Sequence, residues 1–135
     1  MDKINKIIMK KINNILIKCF HSINLILIVF YLYPGSLLGY ILYNNLSIQP
    51  QITRDFLISS NHFYVFVFLS IIGIIAYSST KKITFLIGYL FLLSIILEFL
   101  HKIIPNRSFE LSDLFGNIIG VLLVVIVYKI KQKYE

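Results

Sequence analysis

Glu98, His101, Lys102, Arg107, Glu110, Asp113 and Asn117 crowd into one stretch, EFLHKIIPNRSFELSDLFGNIIG (Glu98–Gly120), between two long apolar runs. A carboxylate such as Glu98 or Asp113 can serve as base, acid or cation ligand, and Arg107 with His62 can hold a phosphate or another anion. Glu98 and His101 are three apart and share one side of a helix. Asp113, Asn117 and Gly120 are spaced by four and three and form a second stripe. Arg107 sits in the link between, so a bridge to Glu98 or Asp113 is the expected pairing. Asp113 also falls in the first turn of its helix, where the dipole stabilises an anion.

Ionisable groups are costly at membrane depth unless they are paired or wetted. Two readings of the cluster stay open. In one it is an ion-pair clamp on a helical hairpin, with Asn117 bonding across helices and Gly120 allowing close packing. In the other it is a polar pocket open to the outer leaflet. Lys102 and Glu110 read as solvated link residues.

The elements that must position these residues follow from composition. Apolar residues make up 58% and charged residues only 14%, with mean hydropathy +0.83, which places the chain among integral membrane proteins. The formal charge of +7 does not indicate nucleic acid, because the lysines cluster at the two ends and at Lys81-Lys82 rather than on one face. They read as topology signals and contacts to anionic membrane lipids.

Residues 1–18 carry Ile4, Ile7, Ile8, Ile12 and Ile15 at helical spacing, with Lys3, Lys6 and Lys10 on other faces. That pattern predicts a basic amphipathic segment lying on the membrane and leading into the first span. A signal peptide is the rival, but YPGSLLGY offers no small-x-small cleavage site, so the segment reads as retained. Spans are expected at about 15–33, 62–78, 83–100 and 114–130, within a four-helix membrane domain over 15–130, with a basic tail at 131–135. Pro34-Gly35-Ser36 breaks the first span. The apolar piece 37–43 is too short to cross and reads as re-entrant or interfacial, and 44–61 as an exposed connection.

The predicted fold is therefore all-α, an antiparallel bundle of four transmembrane helices. Ten of the thirteen lysines and arginines fall on one side of it, leaving Arg54, Lys102 and Arg107 on the other. The positive-inside rule then puts both termini in the cytoplasm. His62, Glu98, His101, Asp113 and Asn117 meet at the external face.

Other motifs are sparse. His62, His101 and the carboxylates have no HExxH or comparable zinc spacing, so no metal is expected. No cofactor is expected either, since the chain carries no glycine-rich phosphate loop, nucleophile elbow or dinucleotide fingerprint. Cys19, the lone cysteine, reads as a small apolar residue in a span, and His21 as an interfacial histidine.

Glu98-x-x-His101, Pro105-x-Arg107, Asp113, Asn117 and Gly120 together resemble the signature of the VanZ-like family of integral membrane proteins. His62 matches that family's histidine, and Tyr33-Pro34-Gly35-Ser36 is similar to a weaker stretch closing its first helix. The likeness covers 60–128 well and 15–59 loosely. His101 stands where the family usually has glutamine and Asn106 where it has glycine. Ile58-Ser59-Ser60-Asn61 replaces its acidic-basic pair. The family is named for a protein associated with teicoplanin resistance. The resemblance thus implies a multi-pass protein of the bacterial cytoplasmic membrane linked to the cell envelope. It brings in glycopeptide (teicoplanin-type) susceptibility without implying that this chain confers resistance.

Three functions follow as expectations. The first is binding of lipid head groups or lipid-linked cell-wall precursors at an outward-facing polar site. The second is a small membrane enzyme acting on a lipid-linked phosphate, with a carboxylate as general base. The third is a structural or assembly subunit of a membrane complex. A homo-oligomer fits any of them.

Overall fold

The computed structural model describes residues 3–134. The polar-face placement expected of Lys3 and Lys6, and the last tail residue Glu135, lie outside the described residues. The chain is all-α, with helices α1 (Lys3–Leu32), α2 (Leu37–Tyr43), α3 (Ser60–Tyr77), α4 (Ile83–Leu100) and α5 (Leu111–Tyr134). Among the described residues there is no strand. Helices α1, α3, α4 and α5 are each long and apolar enough to cross a membrane.

No glycine or proline occurs between Lys3 and Leu32, so nothing interrupts α1. The amphipathic segment runs without a break into the first span. It is the first part of a 30-residue rod, about 45 Å long at 1.5 Å per residue. That exceeds the ~30 Å hydrocarbon core, so a crossing helix has length to spare for the lysine-bearing turns. The other end of α1 is set by Pro34 and by Gly35, whose φ of +95° is left-handed backbone.

After this break the Ser36 hydroxyl accepts from the Gly39 N–H at 3.0 Å and caps α2. Left-handed Asn44 closes α2 after seven residues. The connection to α3 is polar and ordered by its own side chains. The Asn61 amide donates to Pro50 O and accepts from Ile52 N–H, while Asp55 accepts from the Ser60 N–H at the start of α3.

Helices α3 and α5 make the most extensive helix pair. Gly116 and Gly120, one turn apart on α5, permit it. A Cβ at either would stand 2.7 Å from a backbone oxygen, that of Ser59 just before α3 or of Phe63 within it. Phe20, Phe66, Leu69, Leu90, Leu97 and Val121 fill the interior. Leu25, Phe85, Leu92 and Val127 face outward, the arrangement expected where lipid is the solvent.

The helices run antiparallel in sequence around this core. One end gathers Tyr31 of α1, His62 of α3 and His101 after α4. The other brings His21 to Tyr77 at 2.9 Å. Helix α5 begins at Leu111, three residues before the expected span, and continues helically through most of the expected tail.

Candidate functional site

Each polar side chain at the first end of the bundle is placed by a helix terminus. His62 lies in the first turn of α3, Glu98 in the last turn of α4, His101 at its C-cap, and Asp113 in the first turn of α5. Asn117 follows one turn later. Four of the five are almost withdrawn from solvent: Glu98 and Asn117 are 0% exposed, His101 2% and His62 5%. Asp113 is the most open, with a side chain 18% exposed.

His62 stands between the two carboxylates. Its Nε2 is 3.3 Å from Asp113 Oδ2 and its Nδ1 is 3.7 Å from Glu98 Oε2. A neutral imidazole carries one N–H, so it can donate to only one of them at a time. Glu98 is held from the link as well, since its Oε1 accepts the Glu110 N–H at 3.0 Å. Its Oε2 lies 3.2 Å from His101 Nδ1, close enough for an ion pair but not aligned as a hydrogen bond.

His101 has a fixed tautomer. Its Nε2 is 3.0 Å from the Tyr31 carbonyl, which can only accept, so Nε2 bears the proton. In the neutral ring Nδ1 then presents a lone pair toward Glu98. That contact is attractive only when a proton or another cation lies between the two groups. Tyr31 builds the rest of the wall: its ring stacks on His101 and meets His62 edge-on. Its hydroxyl donates to Asn117 Oδ1 at 2.9 Å, and the Asn117 amide in turn donates to Ser94 O. Asn117 thus bonds across helices, as expected, and does so in two directions.

Arg107 departs from the expected pairing. It bridges to neither Glu98 nor Asp113; its Nη2 donates to Phe30 O at 3.0 Å and its Nε to Tyr33 O at 3.2 Å. The reason lies in α1. Phe30 O would accept from residue 34, but Pro34 has no N–H, and the carbonyls beyond it also lack helical partners. Arg107 and His101 fill this open helix end, so the break at Pro34-Gly35 docks the link onto α1. Burial lowers the guanidinium's pKa from its usual value, against the opposing influence of Glu98 and Asp113 nearby. It remains a cation.

Lys102 and Glu110 are exposed link residues, as expected, and each has a further role. Lys102 Nζ lies 4.8 and 4.5 Å above the rings of Phe99 and Phe109. Glu110 keeps an exposed side chain while its backbone serves Glu98. Asn106 holds the left-handed backbone, φ 58°, that turns the link; asparagine tolerates this conformation better than most residues.

His62, His101 and Arg107 also edge a cavity of about 440 Å³. Its remaining wall is mainly apolar, with Ile23, Leu27 and Phe30 of α1 facing Val65 and Phe68 of α3. The site is therefore amphiphilic, polar and cationic at one end and hydrocarbon-lined along the helices. Tyr31 is the member that sequence reasoning missed. One tyrosine in an apolar run reads as part of an interfacial belt, and only the helix pairing sets it against Asn117, His62 and His101.

No family model, curated protein or solved structure matches the chain.

Proposed function

We propose that the chain is a VanZ-like, multi-pass protein of the bacterial cytoplasmic membrane that binds an anionic lipid head group at an outward-facing site. The lipid-linked phosphates of cell-wall precursors are the favoured class. One observation carries the reading: the cavity joins Arg107, His62 and His101 to an apolar slot between α1 and α3. A guanidinium suits a phosphate, and hydrocarbon walls suit the chain attached to it. The volume falls in the range of small-molecule sites. The lysine distribution supports an external location, with both termini cytoplasmic.

A lipid-linked phosphate can also be a substrate, and the placement of His62 between two carboxylates favours that second reading. His62 would carry a proton between Glu98 and Asp113 while Arg107 holds the anion.

The test uses the full chain in nanodiscs with a radiolabelled polyprenyl phosphate, against phosphatidylglycerol as competitor. Saturable binding that weakens at least tenfold in Arg107→Gln and His62→Ala supports a head-group site. Release of inorganic phosphate that disappears in His62→Ala or Asp113→Asn makes the protein an enzyme. Absence of any head-group preference, with co-purification of a stoichiometric partner, makes it an assembly subunit instead.

A further inference from the structure

Glu98 Oε2 and His62 Nδ1 are buried polar atoms without a hydrogen-bond partner. Buried polar groups in a low-dielectric interior are normally hydrogen-bonded, so these two stand out although each has a titratable neighbour within 4 Å. They belong to the same group of side chains. His62, Glu98 and Asp113 each offer one ligand atom, and these atoms all lie within 4.8 Å of one another.

We propose that His62, Glu98 and Asp113 form a binding site for a divalent transition-metal ion of the zinc or manganese type. The inference rests on this donor set and is independent of the lipid-binding reading.

Charge, donor type and construction all point to this ion. Two carboxylates face one point, and the one arginine of the neighbourhood is engaged with the backbone of α1 instead. A divalent cation balances both carboxylates at once. Calcium and magnesium prefer oxygen ligands alone, whereas a mixed set of one imidazole and two carboxylates suits zinc and manganese. Three protein ligands leave at least one coordination position for water or an anionic oxygen. The supports of the ligands are also in place. Glu98 is fixed by the Glu110 N–H, His62 is braced by the Tyr31 ring, and Asp113 is carried on the first turn of α5.

Ligands about 2.1 Å from a tetrahedral ion stand roughly 3.4 Å apart, so atoms up to 4.8 Å apart close by at most about 1.4 Å around it. Zinc-type spacing is absent from the sequence because the ligands come from three different helices.

The experiment uses the full chain, purified in detergent without a polyhistidine tag, stripped with chelator and depleted of phospholipid. Titration with Zn²⁺ against a chromophoric chelator is expected to give one site per chain. Co²⁺ bound to the wild type is expected to show visible d–d bands that one equivalent of Zn²⁺ abolishes. His62→Ala and Asp113→Asn should weaken Zn²⁺ at least about tenfold, since loss of even a supporting partner costs that much. Glu110→Gln, an exposed acid of the same link, should not. The proposal is overturned if the wild type binds neither Zn²⁺, Co²⁺ nor Mn²⁺ at one per chain. It is equally overturned if binding persists unchanged in folded His62→Ala and Asp113→Asn. The wild-type titration decides the matter where those variants do not fold. A metal site without polyprenyl phosphate affinity would leave this inference standing and remove the lipid reading, and the reverse result would do the opposite.

Discussion

The Tyr31 hydroxyl donates to Asn117 Oδ1 at 2.9 Å, joining the first and last membrane helices across 86 residues of sequence. Both side chains are buried. Tyr31→Phe keeps the ring that stacks on His101 but leaves Asn117 Oδ1 without its donor. The expected loss is about 0.5–2 kcal/mol, the range of interhelical hydrogen bonds in membranes and of unsatisfied buried acceptors. Reversible unfolding in mixed micelles with increasing SDS measures it. An unchanged midpoint would mean that the hydroxyl contributes nothing to the bundle.

The α3–α5 contact makes a second prediction through its glycines. Added methyl groups at Gly116 and Gly120 meet backbone oxygens at 2.7 Å, and backbone yields less readily than a side-chain tip. Gly116→Ala and Gly120→Ala are each expected to cost about 1–3 kcal/mol by overpacking. Gly88 on α4 supplies the control, because a Cβ there meets nothing within 4 Å. Gly88→Ala should be neutral or slightly stabilising, since alanine is the better helix former. The same unfolding assay separates the three.

The apolar runs made the four long helices legible, because length and hydropathy alone decide whether a helix can cross a membrane. The meeting of His62, Glu98, His101, Asp113 and Asn117 was legible too, since alternating span direction assigns each to the same end. The partner of Arg107 was not. Charge complementarity pointed to Glu98 or Asp113, but the missing N–H of Pro34 leaves Phe30 O in need of a donor, and that demand is invisible until α1 and the link are side by side. The long rod of α1 shows the same limit. Lysine periodicity marked an amphipathic start, whereas continuity without glycine or proline joined it to the first span in one helix. Gly120 was read as a packing residue, while Gly116, one turn earlier, needed the view of Ser59 O to be recognised.

Orientation gives a third prediction. In a Cys19→Ser background, single cysteines at Ser47 and Ser79 occupy the connection between α2 and α3 and the turn between α3 and α4. Positive-inside asymmetry predicts position 47 outside and position 79 in the cytoplasm. A membrane-impermeant maleimide added to intact cells should label the first and spare the second until the membrane is opened. The opposite pattern would turn the polar site inward and remove its access to external envelope precursors.

The last prediction concerns how the charges at the site depend on one another. An ion-pair clamp built on Arg107 requires that Arg107 and Glu98 be strongly coupled. In the structure Arg107 instead serves the carbonyls of Phe30 and Tyr33, and Glu98 lies against His101 and His62. Arg107→Gln should therefore destabilise by loosening the end of α1, at about 1.5–3 kcal/mol for charge-assisted hydrogen bonds. Much of that cost should remain when Glu98 is already glutamine. Double-mutant cycles in the SDS assay are expected to give a coupling below about 0.5 kcal/mol for Arg107 with Glu98, and about 0.5–3 kcal/mol for His101 with Glu98. Arg107→Lys refines the test, because a point charge on a flexible stem cannot reproduce a planar fork across two carbonyls. It should recover only part of the loss. Strong coupling of Arg107 to Glu98, with full rescue by lysine, would restore the clamp and take Arg107 away from the end of α1.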